Sequence, residues 1–509
     1  MKPNILFLLS DEHGFRYMGY MPEEEGGEVV NTPNFDILAK KGTVFTDVYC
    51  QMPLCTPSRM CMFTGREVRN CGAWKNGVYL RPEIPTLPKT LEQHGYETCF
   101  IGKYHLGGSN QFGGFKHRPY GDLTGKGGHQ VEAITESREG KAGRTKNAGI
   151  TEFPESLLQE NIVCNETISF LREHKHKHPD KPYFLCASFS RPHFPLTAPK
   201  RHFDRYWPKK VSEPKVGATG DAYKHPMSIA MRKGFEVERI NYEEMMKARA
   251  AYFACVSFLD EIIGDLIVRL EKEGLLENTI IVYTSDHGEM AGEHGVWWKH
   301  GWYEACTRVP LIISLPEQRS GKMQPERFRT PVALIDLYPT LCGLTGCEPE
   351  KELDGIDLSE GILGNKSIPG DRPVICDNLF DRWGEGTEFR MVRLGDYKCV
   401  AFRNAPPLMF DLKNDPMEQH NIVNSEDSTI VSMREKFEKY ISESMDFEKA
   451  AWERTVRDGE LLSENALNID GAEKVKNAFI MPNGTVFSAD DILYKPNILA
   501  RDYRDVFQS

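Results

Sequence analysis

The chain has 509 residues, several times a typical domain length, so we expect one large core with a smaller companion unit. Hydrophobic residues at 40% and charged residues at 27% are ordinary for a globular protein. The net charge of -11 argues against a nucleic-acid-binding protein, because such proteins normally carry a basic face.

Short apolar runs alternate with helical patterns along the first part of the chain. The runs typical of buried parallel strands are residues 5–9, 44–49, 98–101, 183–189 and 279–284. Helical patterns lie between them at residues 35–41, 87–94, 156–173 and 243–273. This alternation predicts an α/β fold with a large, mainly parallel sheet flanked by helices.

The pattern changes at about residue 373. Two apolar runs, 389–393 and Tyr397–Phe402, flank a Gly-Asp turn and predict a hairpin, and residues 408–412 predict a further strand. A helix is expected near Ser428–Ser444. These signals predict a smaller C-terminal antiparallel sheet packed by a helix. We therefore divide the chain into a main domain (1–372), a subdomain (373–447) and a C-terminal extension (448–509); the Gly-rich stretch 121–149 is expected to be a surface excursion.

Features of cellular location are few. The chain has no apolar stretch of the ~20 residues that a membrane span needs, so no membrane partner is expected. The run at residues 5–9 is too short for a signal peptide, which predicts a cytoplasmic protein. The thirteen cysteines include no Cys-x-x-Cys pair, which favours buried free thiols over disulfides or a zinc site.

Polar side chains follow five of the predicted strands at the points where these strands end. Open α/β sheets bind ligands at the carboxyl ends of their strands, so these side chains are expected to meet at one edge. The segments are Asp11-Glu12-His13, the run 51–59 with Cys55, Lys103-Tyr104-His105, Arg191-Pro192-His193 and Ser285-Asp286-His287. Together they bring carboxylates, imidazoles, cations and a thiol into one candidate site.

The residue types in this set indicate its chemistry. Carboxylates such as Asp11 and Asp286 suit a hard cation, and His287 adds a nitrogen donor. Cys55 comes just before a helix that we expect to begin at Pro57, a favoured first-turn position for proline. A nucleophile there lies in the positive field of the helix N-terminus, where backbone amides can hold an oxyanion. The pattern therefore indicates a metal site beside a nucleophile and an anion.

Several motifs carry a family resemblance. The run Cys55-Thr56-Pro57-Ser58-Arg59, followed by Thr64-Gly65-Arg66, resembles the signature of type I, formylglycine-dependent sulfatases in the alkaline phosphatase superfamily. The run from Gly102 to Gly107, Gly-Lys-Tyr-His-Leu-Gly, is similar to the family's second signature. Further similar segments, in the expected order over about residues 1–425, are 3–5, 284–288, 308–311, 336–340 and 410–416.

The resemblance implies a role for each residue of the candidate site. A formylglycine-generating maturation enzyme would oxidise Cys55, and one hydroxyl of the formylglycine hydrate would attack sulfur while the other later expels sulfate. One divalent metal, Ca²⁺ in the first place with Mg²⁺ or Mn²⁺ as alternatives, would be held by Asp11, Glu12, Cys55, Asp286 and His287. The implied catalytic residues besides Cys55 are Arg59, Lys103, His105, His193 and Lys299.

These residues have distinct implied tasks. Arg59 would brace the formylglycine, and His105 would bond the hydroxyl that drives its regeneration. Lys103 and Lys299 would clamp sulfate oxygens, and His193 would protonate the leaving group. Many family members have Asp-Asp where this chain has Asp11-Glu12, so Glu12 departs from the usual pattern.

The resemblance predicts a sulfuric ester hydrolase acting on a small sulfate monoester, such as a sulfated sugar or an aryl or alkyl sulfate. Phosphonate monoester and phosphodiester hydrolases of the same superfamily are an alternative, although they tend to carry uncharged hydroxyl side chains at the positions of Lys103 and His105. A noncatalytic protein that binds sulfated ligands with an unmodified Cys55 is an alternative of another class. The long C-terminal extension suggests a homo-oligomer.

Overall fold

The computed structural model describes residues 2–107, 110–121, 140–384, 386–459, 478–480 and 486–488. Its strands in chain order are β1 Asn4–Asp11, β2 Thr43–Tyr49, β3 Glu97–Gly102, β4 His117–Tyr120, β5 Gly149–Ile150, β6 Tyr183–Pro192, β7 Thr197–Ala198, β8 Thr279–Ser285, β9 Arg308–Ser314, β10 Arg327–Phe328, β11 Val332–Ala333, β12 Val374–Asn378, β13 Phe389–Leu394, β14 Tyr397–Phe402, β15 Leu408–Asp411, β16 Ala478–Ile480 and β17 Val486–Ser488.

The large sheet follows the order β10-β2-β9-β8-β1-β6-β3-β4-β16-β17, with β11 paired to β2. Strand β1 lies near its centre and runs parallel to both β6 and β8, so that Ile5 lies opposite Phe184 on one side and Ile280 on the other. Strand β3 continues the parallel set beside β6, whereas β9 runs antiparallel between β2 and β8. The predicted large, mainly parallel sheet is confirmed.

Helices cover both faces of this sheet. The α-helices are Pro33–Lys40, Cys55–Thr64, Val68–Cys71, Leu87–Gln93, Gly143–Lys146, Gln159–Lys177, Lys200–Phe203, Asp221–Lys224, Pro226–Gly234, Tyr242–Lys272, Glu304–Thr307, Pro316–Arg319, Leu337–Thr345, Ser359–Ile362 and Ser428–Ser444. Residues 447–459 are also helical. The four helices predicted in the main domain are all present, with ends that differ by a few residues, as is usual for helix boundaries.

The alternation of side chains along β1 divides the core into two layers. Phe7 and Leu9 belong to the hydrophobic cluster on one face, and Leu6 and Leu8 belong to the cluster on the other. All four are fully buried, because a parallel strand in the middle of a sheet has helices on both sides. This burial explains why the strand has a continuous apolar sequence rather than an alternating one.

A second, four-stranded antiparallel sheet has the order β12-β13-β14-β15. Strands β13 and β14 form the predicted hairpin, and Gly395 in its turn has a φ of +55°, a conformation that glycine adopts without strain. The helix Ser428–Ser444 follows, with Asp427 capping its first turn. The predicted antiparallel sheet and helix are confirmed. The domain boundaries stay a prediction, and residues 122–139 of the expected surface excursion lie outside the described residues.

A buried ion-pair group joins the two sheets. Lys398 on β14 has no exposed surface, and its Nζ lies 3.0 Å from Glu304 Oε1 and 2.7 Å from Glu418 Oε1. The backbone N–H of Glu304 donates to the other oxygen of Glu418 at 2.7 Å. Glu304 begins the short helix that leads into the main-sheet strand β9, so this group fixes the small sheet against the large one.

Replacing Lys398 with methionine should lower the free energy of unfolding by about 3–5 kcal/mol, because two buried carboxylates would lose the cation that joins them. Chemical denaturation would measure the loss. Lys439→Met is a matched control: Lys439 is exposed, its Nζ lies 4.0 Å from Glu443, and the change should cost less than about 1 kcal/mol. Equal losses in the two variants would contradict the proposed importance of the buried group.

Two further expectations concern location and cysteine chemistry. Among the helices that the structure describes, none combines the length and the apolar character needed to cross a bilayer. All thirteen cysteines are free and buried, as the sequence predicts.

Candidate active site

Two neighbouring strands deliver the central carboxylates. Ser10 of β1 pairs with Ser285 of β8, and the chain then continues into Asp11-Glu12 on one strand and Asp286-His287 after the other. Because the two strands are parallel, these side chains leave the sheet at the same carboxyl edge. All four are completely buried.

Cys55 meets this edge from a different element. The helix begins at Cys55 itself, two residues before the predicted start at Pro57, so the prediction of its first residue was wrong. The backbone of Leu54 is extended, and the helical conformation starts at the next residue. Cys55 therefore lies in the first turn of the helix. The Sγ atom lies 3.6 Å from Asp11 Oδ1 and 3.4 Å from His287 Nε2.

Four donor groups converge at one point. Ligand atoms of Asp11, Cys55, Asp286 and His287 lie within 4.8 Å of one another, and all four residues are buried. Nδ1 of His287 donates to the Gly288 carbonyl at 3.0 Å, which leaves Nε2 directed at the other three residues. Two carboxylates, one imidazole nitrogen and the sulfur of Cys55 form a donor set that could hold a divalent cation.

Arg59 holds the two aspartates in place. Its Nε donates to Asp286 Oδ2 at 2.7 Å, and one terminal nitrogen donates to Asp11 Oδ2 at 3.1 Å. Its other terminal nitrogen bonds to Ser188 Oγ at 2.9 Å and to the carbonyl of Lys103. Arg59 therefore braces both aspartates as well as the turn of helix that carries Cys55.

Glu12 is directed differently from Asp11. Its φ is +68°, and its Oε2 lies 3.1 Å from Lys299 Nζ and 3.5 Å from His193 Nε2. It belongs to a second group of donors, with Asp11 and His193, rather than to the group that contains Cys55. Burial raises the pKa of Glu12 well above its usual range, although Lys299 opposes this. Its assignment as a metal ligand stays a prediction.

Cations surround the thiol. Lys299 Nζ lies 3.4 Å from the Cys55 sulfur, and Lys103 Nζ lies 2.7 Å from Asp11 Oδ2. Burial alone would raise the pKa of the thiol, but Lys299, Lys103 and His287 outweigh it and lower that pKa well below its usual range. His105 also hydrogen-bonds to the thiol and lowers its pKa. A group at this position is therefore held as an anion.

His193 completes the ring around the thiol. Its Nδ1 is 2.7 Å from the Phe194 carbonyl, which leaves Nε2 facing Asp11 at 4.0 Å and Glu12 at 3.5 Å. Burial, followed by the charges of Lys103 and Lys299, lowers its pKa to about 3, so the imidazole is neutral near pH 7. All of the predicted catalytic residues thus lie at this one edge.

Sequence reasoning missed two supporting residues. Glu289 Oε1 accepts backbone hydrogen bonds from Ala291 at 2.8 Å and from Trp298 at 2.7 Å, and so holds the loop that presents Lys299. Its place two residues after His287 was a signal that could have been used. Asn76 Oδ1 accepts from the backbone of Thr56 at 3.0 Å, and no sequence pattern marked it.

Comparisons with known proteins point to one family. The family model described as Sulfatase matches residues 3–347, and the one described as N-sulphoglucosamine sulphohydrolase, C-terminal, matches residues 292–445. An arylsulfatase from Clostridium perfringens (strain 13 / Type A) is 30% identical, covering 84% of this chain and 91% of its own. A choline-sulfatase from Rhizobium meliloti (strain 1021) is 28% identical, covering 83% and 82%.

A solved structure adds a likeness of fold. The phosphonate monoester hydrolase of Agrobacterium radiobacter has a TM-score of 0.72 at 22% identity, and the match covers 96% of this chain and 99% of that one. At this identity the likeness concerns the fold alone.

Proposed function

This chain belongs to the sulfatase family and is a sulfuric ester hydrolase, and from that premise we propose that it cleaves small sulfate monoesters with formylglycine, formed from Cys55, as its nucleophile. The observation that carries the proposal is the position of Cys55 among Asp11, Asp286 and His287 on one side and Lys299 on the other. A maturation enzyme is the partner that this chemistry requires.

The residues that would hold the metal are Asp11, Asp286, His287 and the modified residue 55, with Glu12 as a further candidate. The oxygen-rich donor set favours Ca²⁺, with Mg²⁺ or Mn²⁺ as alternatives. When bound, the cation supplies positive charge next to the nucleophile. Arg59 orients both aspartates, because it donates a hydrogen bond to each of them.

Sulfate binding and proton transfer fall to the remaining residues. Lys103 and Lys299 lie on the thiol side of the site, where they would bind sulfate oxygens and stabilise the negative charge that develops as the ester bond breaks. His193 would donate a proton to the leaving oxygen from Nε2. Its imidazole is neutral in the free site, and an anionic substrate placed between the two lysines would favour the protonated form. His105 would hydrogen-bond the hydroxyl whose collapse releases sulfate.

The alternative reaction within the superfamily is hydrolysis of phosphonate monoesters or phosphodiesters. This chain shares its fold with a phosphonate monoester hydrolase, and the fold is therefore compatible with this alternative reaction. Lys103 and His105 argue for sulfate esters, since the resemblance to that branch predicts uncharged hydroxyl groups at both positions. The two residues lie at the site, with Lys103 bonded to Asp11 and His105 to Cys55.

A direct comparison of two substrates tests the proposal. The protein is produced together with a formylglycine-generating enzyme, and kcat/KM is measured on an aryl sulfate and on a phosphonate monoester with the same leaving group. We expect the sulfate ester to be hydrolysed faster, by about 10²-fold or more. Lys103 and His105 would be matched to the sulfate group, and polar groups matched to one anion discriminate strongly against a different one. Faster hydrolysis of the phosphonate would overturn the assignment of Lys103 and His105.

A further inference from the structure

Glu12 has a strained backbone. Its φ of +68° lies in the left-handed region, which glycine adopts readily and residues with a Cβ atom avoid. Such a conformation costs free energy and persists only where surrounding contacts enforce it, and residues of this kind cluster at active sites. Glu12 directly follows Asp11 at the carboxyl edge of the sheet and is completely buried. The contacts that enforce its conformation are therefore candidates for a functional role.

Both backbone polar groups of Glu12 are bonded to side chains from distant parts of the sequence. Its N–H donates to Asp286 Oδ1 at 3.1 Å, and its carbonyl accepts a hydrogen bond from the Tyr252 hydroxyl at 2.7 Å. The same hydroxyl accepts the backbone N–H of Gly14 at 3.2 Å. A hydroxyl group can donate and accept at once, so this single group joins the two ends of the turn from Glu12 to Gly14.

Tyr252 is itself fixed in position. It lies in the middle of the helix Tyr242–Lys272 and has no exposed surface. Its ring meets the ring of Tyr17 edge-on, with 4.8 Å between the ring centres. Because a side chain packed in this way keeps one orientation, the helix is a rigid support for the turn that contains Glu12.

The turn determines where the Glu12 carboxylate lies. Its Oε2 is 3.1 Å from Lys299 Nζ and 3.5 Å from His193 Nε2. In the proposed reaction, this lysine would bind sulfate and this histidine would protonate the leaving oxygen. The Glu12 carboxylate therefore joins the group that holds the sulfate to the group that acts on the ester oxygen.

We propose that Tyr252 is a positioning residue for sulfate ester hydrolysis: its hydroxyl holds Glu12 in the left-handed conformation, and the Glu12 carboxylate then orients Lys299 and His193. The inference rests on the proposed function and adds a residue that acts through Glu12 rather than on the substrate. Without the hydroxyl, a buried carbonyl and a buried N–H would lose their partner. The backbone would relax to a negative φ, and the carboxylate would move away from both of its partners.

Replacing Tyr252 with phenylalanine tests the role of the hydroxyl, because the ring and its packing against Tyr17 are kept. Activity is measured on para-nitrophenyl sulfate, which has a good leaving group, and on phenyl sulfate, which has a poorer one. Tyr206→Phe is the matched control. Tyr206 is buried, and its hydroxyl lies 2.6 Å from Ser257 Oγ on the same helix and accepts the backbone N–H of Asn31 at 2.9 Å.

Tyr252→Phe should lower kcat/KM about tenfold on para-nitrophenyl sulfate and about 100-fold on phenyl sulfate, because the poorer leaving group depends more on a well-placed proton donor. Tyr206→Phe removes an equally buried hydroxyl from the same helix and should leave the ratio of the two substrates unchanged. A Tyr252→Phe protein with wild-type activity, or with equal losses on both substrates, would reject the positioning role.

A double-mutant cycle shows whether Tyr252 acts through Glu12. Glu12→Gln removes the charge that joins Lys299 to His193. Adding Tyr252→Phe to this variant should cause less than about twofold further loss in kcat/KM, since both changes remove the same interaction. Losses that multiply as independent effects would show that the hydroxyl does not act through Glu12, and would overturn the proposal.

Crystal structures of the wild type and of Tyr252→Phe separate this inference from the proposed function. A negative φ at Glu12 in the variant, with the carboxylate withdrawn from Lys299, would support the positioning role even if neither protein hydrolysed sulfate esters. A positive φ and an unmoved carboxylate in the variant would reject the role of Tyr252, while the sulfatase assignment would still be decided by the activity measurements.

Discussion

Replacing Cys55 with alanine should abolish sulfate ester hydrolysis, with kcat/KM falling by at least about 10³-fold, the scale on which enzymes lose activity when a nucleophile is removed. The reason is geometric as well as chemical. The side chain lies 3.4 Å from Lys299, 3.4 Å from His287 and 3.6 Å from Asp11, and among the described side chains no other nucleophile occupies this position.

Two further variants make the test specific. Cys61 is also buried and lies on the same helix, with its Sγ 3.6 Å from Cys71, so Cys61→Ala controls for the loss of a buried sulfur and should keep most of the activity. Cys55→Ser offers one hydroxyl where the formylglycine hydrate has two. It should therefore accept sulfate without releasing it, which would appear as a single turnover at most.

The mass of the peptide that contains Cys55 completes this experiment. Conversion of the thiol to an aldehyde in the active protein is expected. An unmodified thiol in protein that binds sulfated ligands but does not hydrolyse them would favour the noncatalytic alternative. Full activity of Cys55→Ala would show that another group is the nucleophile.

The sequence was sufficient to predict most of the sheet, but not all of it. Strands such as β1 and β8 are fully buried and therefore have continuous apolar sequences that are visible without a structure. Strand β9 was missed, although its residues are equally buried, because Pro310 within it is typical of an edge or a bend. Neither periodicity nor composition could have shown that it runs antiparallel between two mutually parallel strands.

In the site, too, residues placed by the local sequence could be predicted, whereas contacts between distant segments could not. Asp11 and Asp286 were predictable because each directly follows a strand, and neighbouring parallel strands end at the same edge. The direction of the Glu12 side chain could not be predicted. It depends on the positive φ of Glu12 and on the contact with Lys299, which lies in a loop far away in the sequence.

Replacing Asp286 with asparagine should weaken metal binding by more than about 100-fold and lower kcat/KM to a similar degree, since even residues that only support a metal ligand cost 10–100-fold. Asparagine keeps the size of the side chain but removes its charge. Oδ1 of Asp286 accepts from the backbone of Glu12 at 3.1 Å and of His287 at 2.9 Å, so the fold around the site should be retained.

Metal content decides this prediction independently of activity. The wild type and Asp286→Asn are stripped with a chelator, titrated with Ca²⁺, Mg²⁺ or Mn²⁺, and analysed by mass spectrometry of the bound metal. Asp260→Asn is the matched control: Asp260 is a buried carboxylate that accepts the backbone N–H of Phe35 at 2.7 Å, on a helix away from the donor group. This control should bind one metal ion per chain, as we expect of the wild type.

The charge balance around Arg59 explains why the loss at Asp286 should be large. Each aspartate receives one hydrogen bond from Arg59, and Lys103 also contacts Asp11 at 2.7 Å, so the two carboxylates already balance protein cations before an ion binds. With asparagine at position 286, a single carboxylate must balance the guanidinium and contribute to the ion, so the ion is the partner that is lost. A stoichiometric metal ion in Asp286→Asn, with activity near that of the wild type, would show that the donor group is assembled from other residues, with Glu12 and His193 the first to examine.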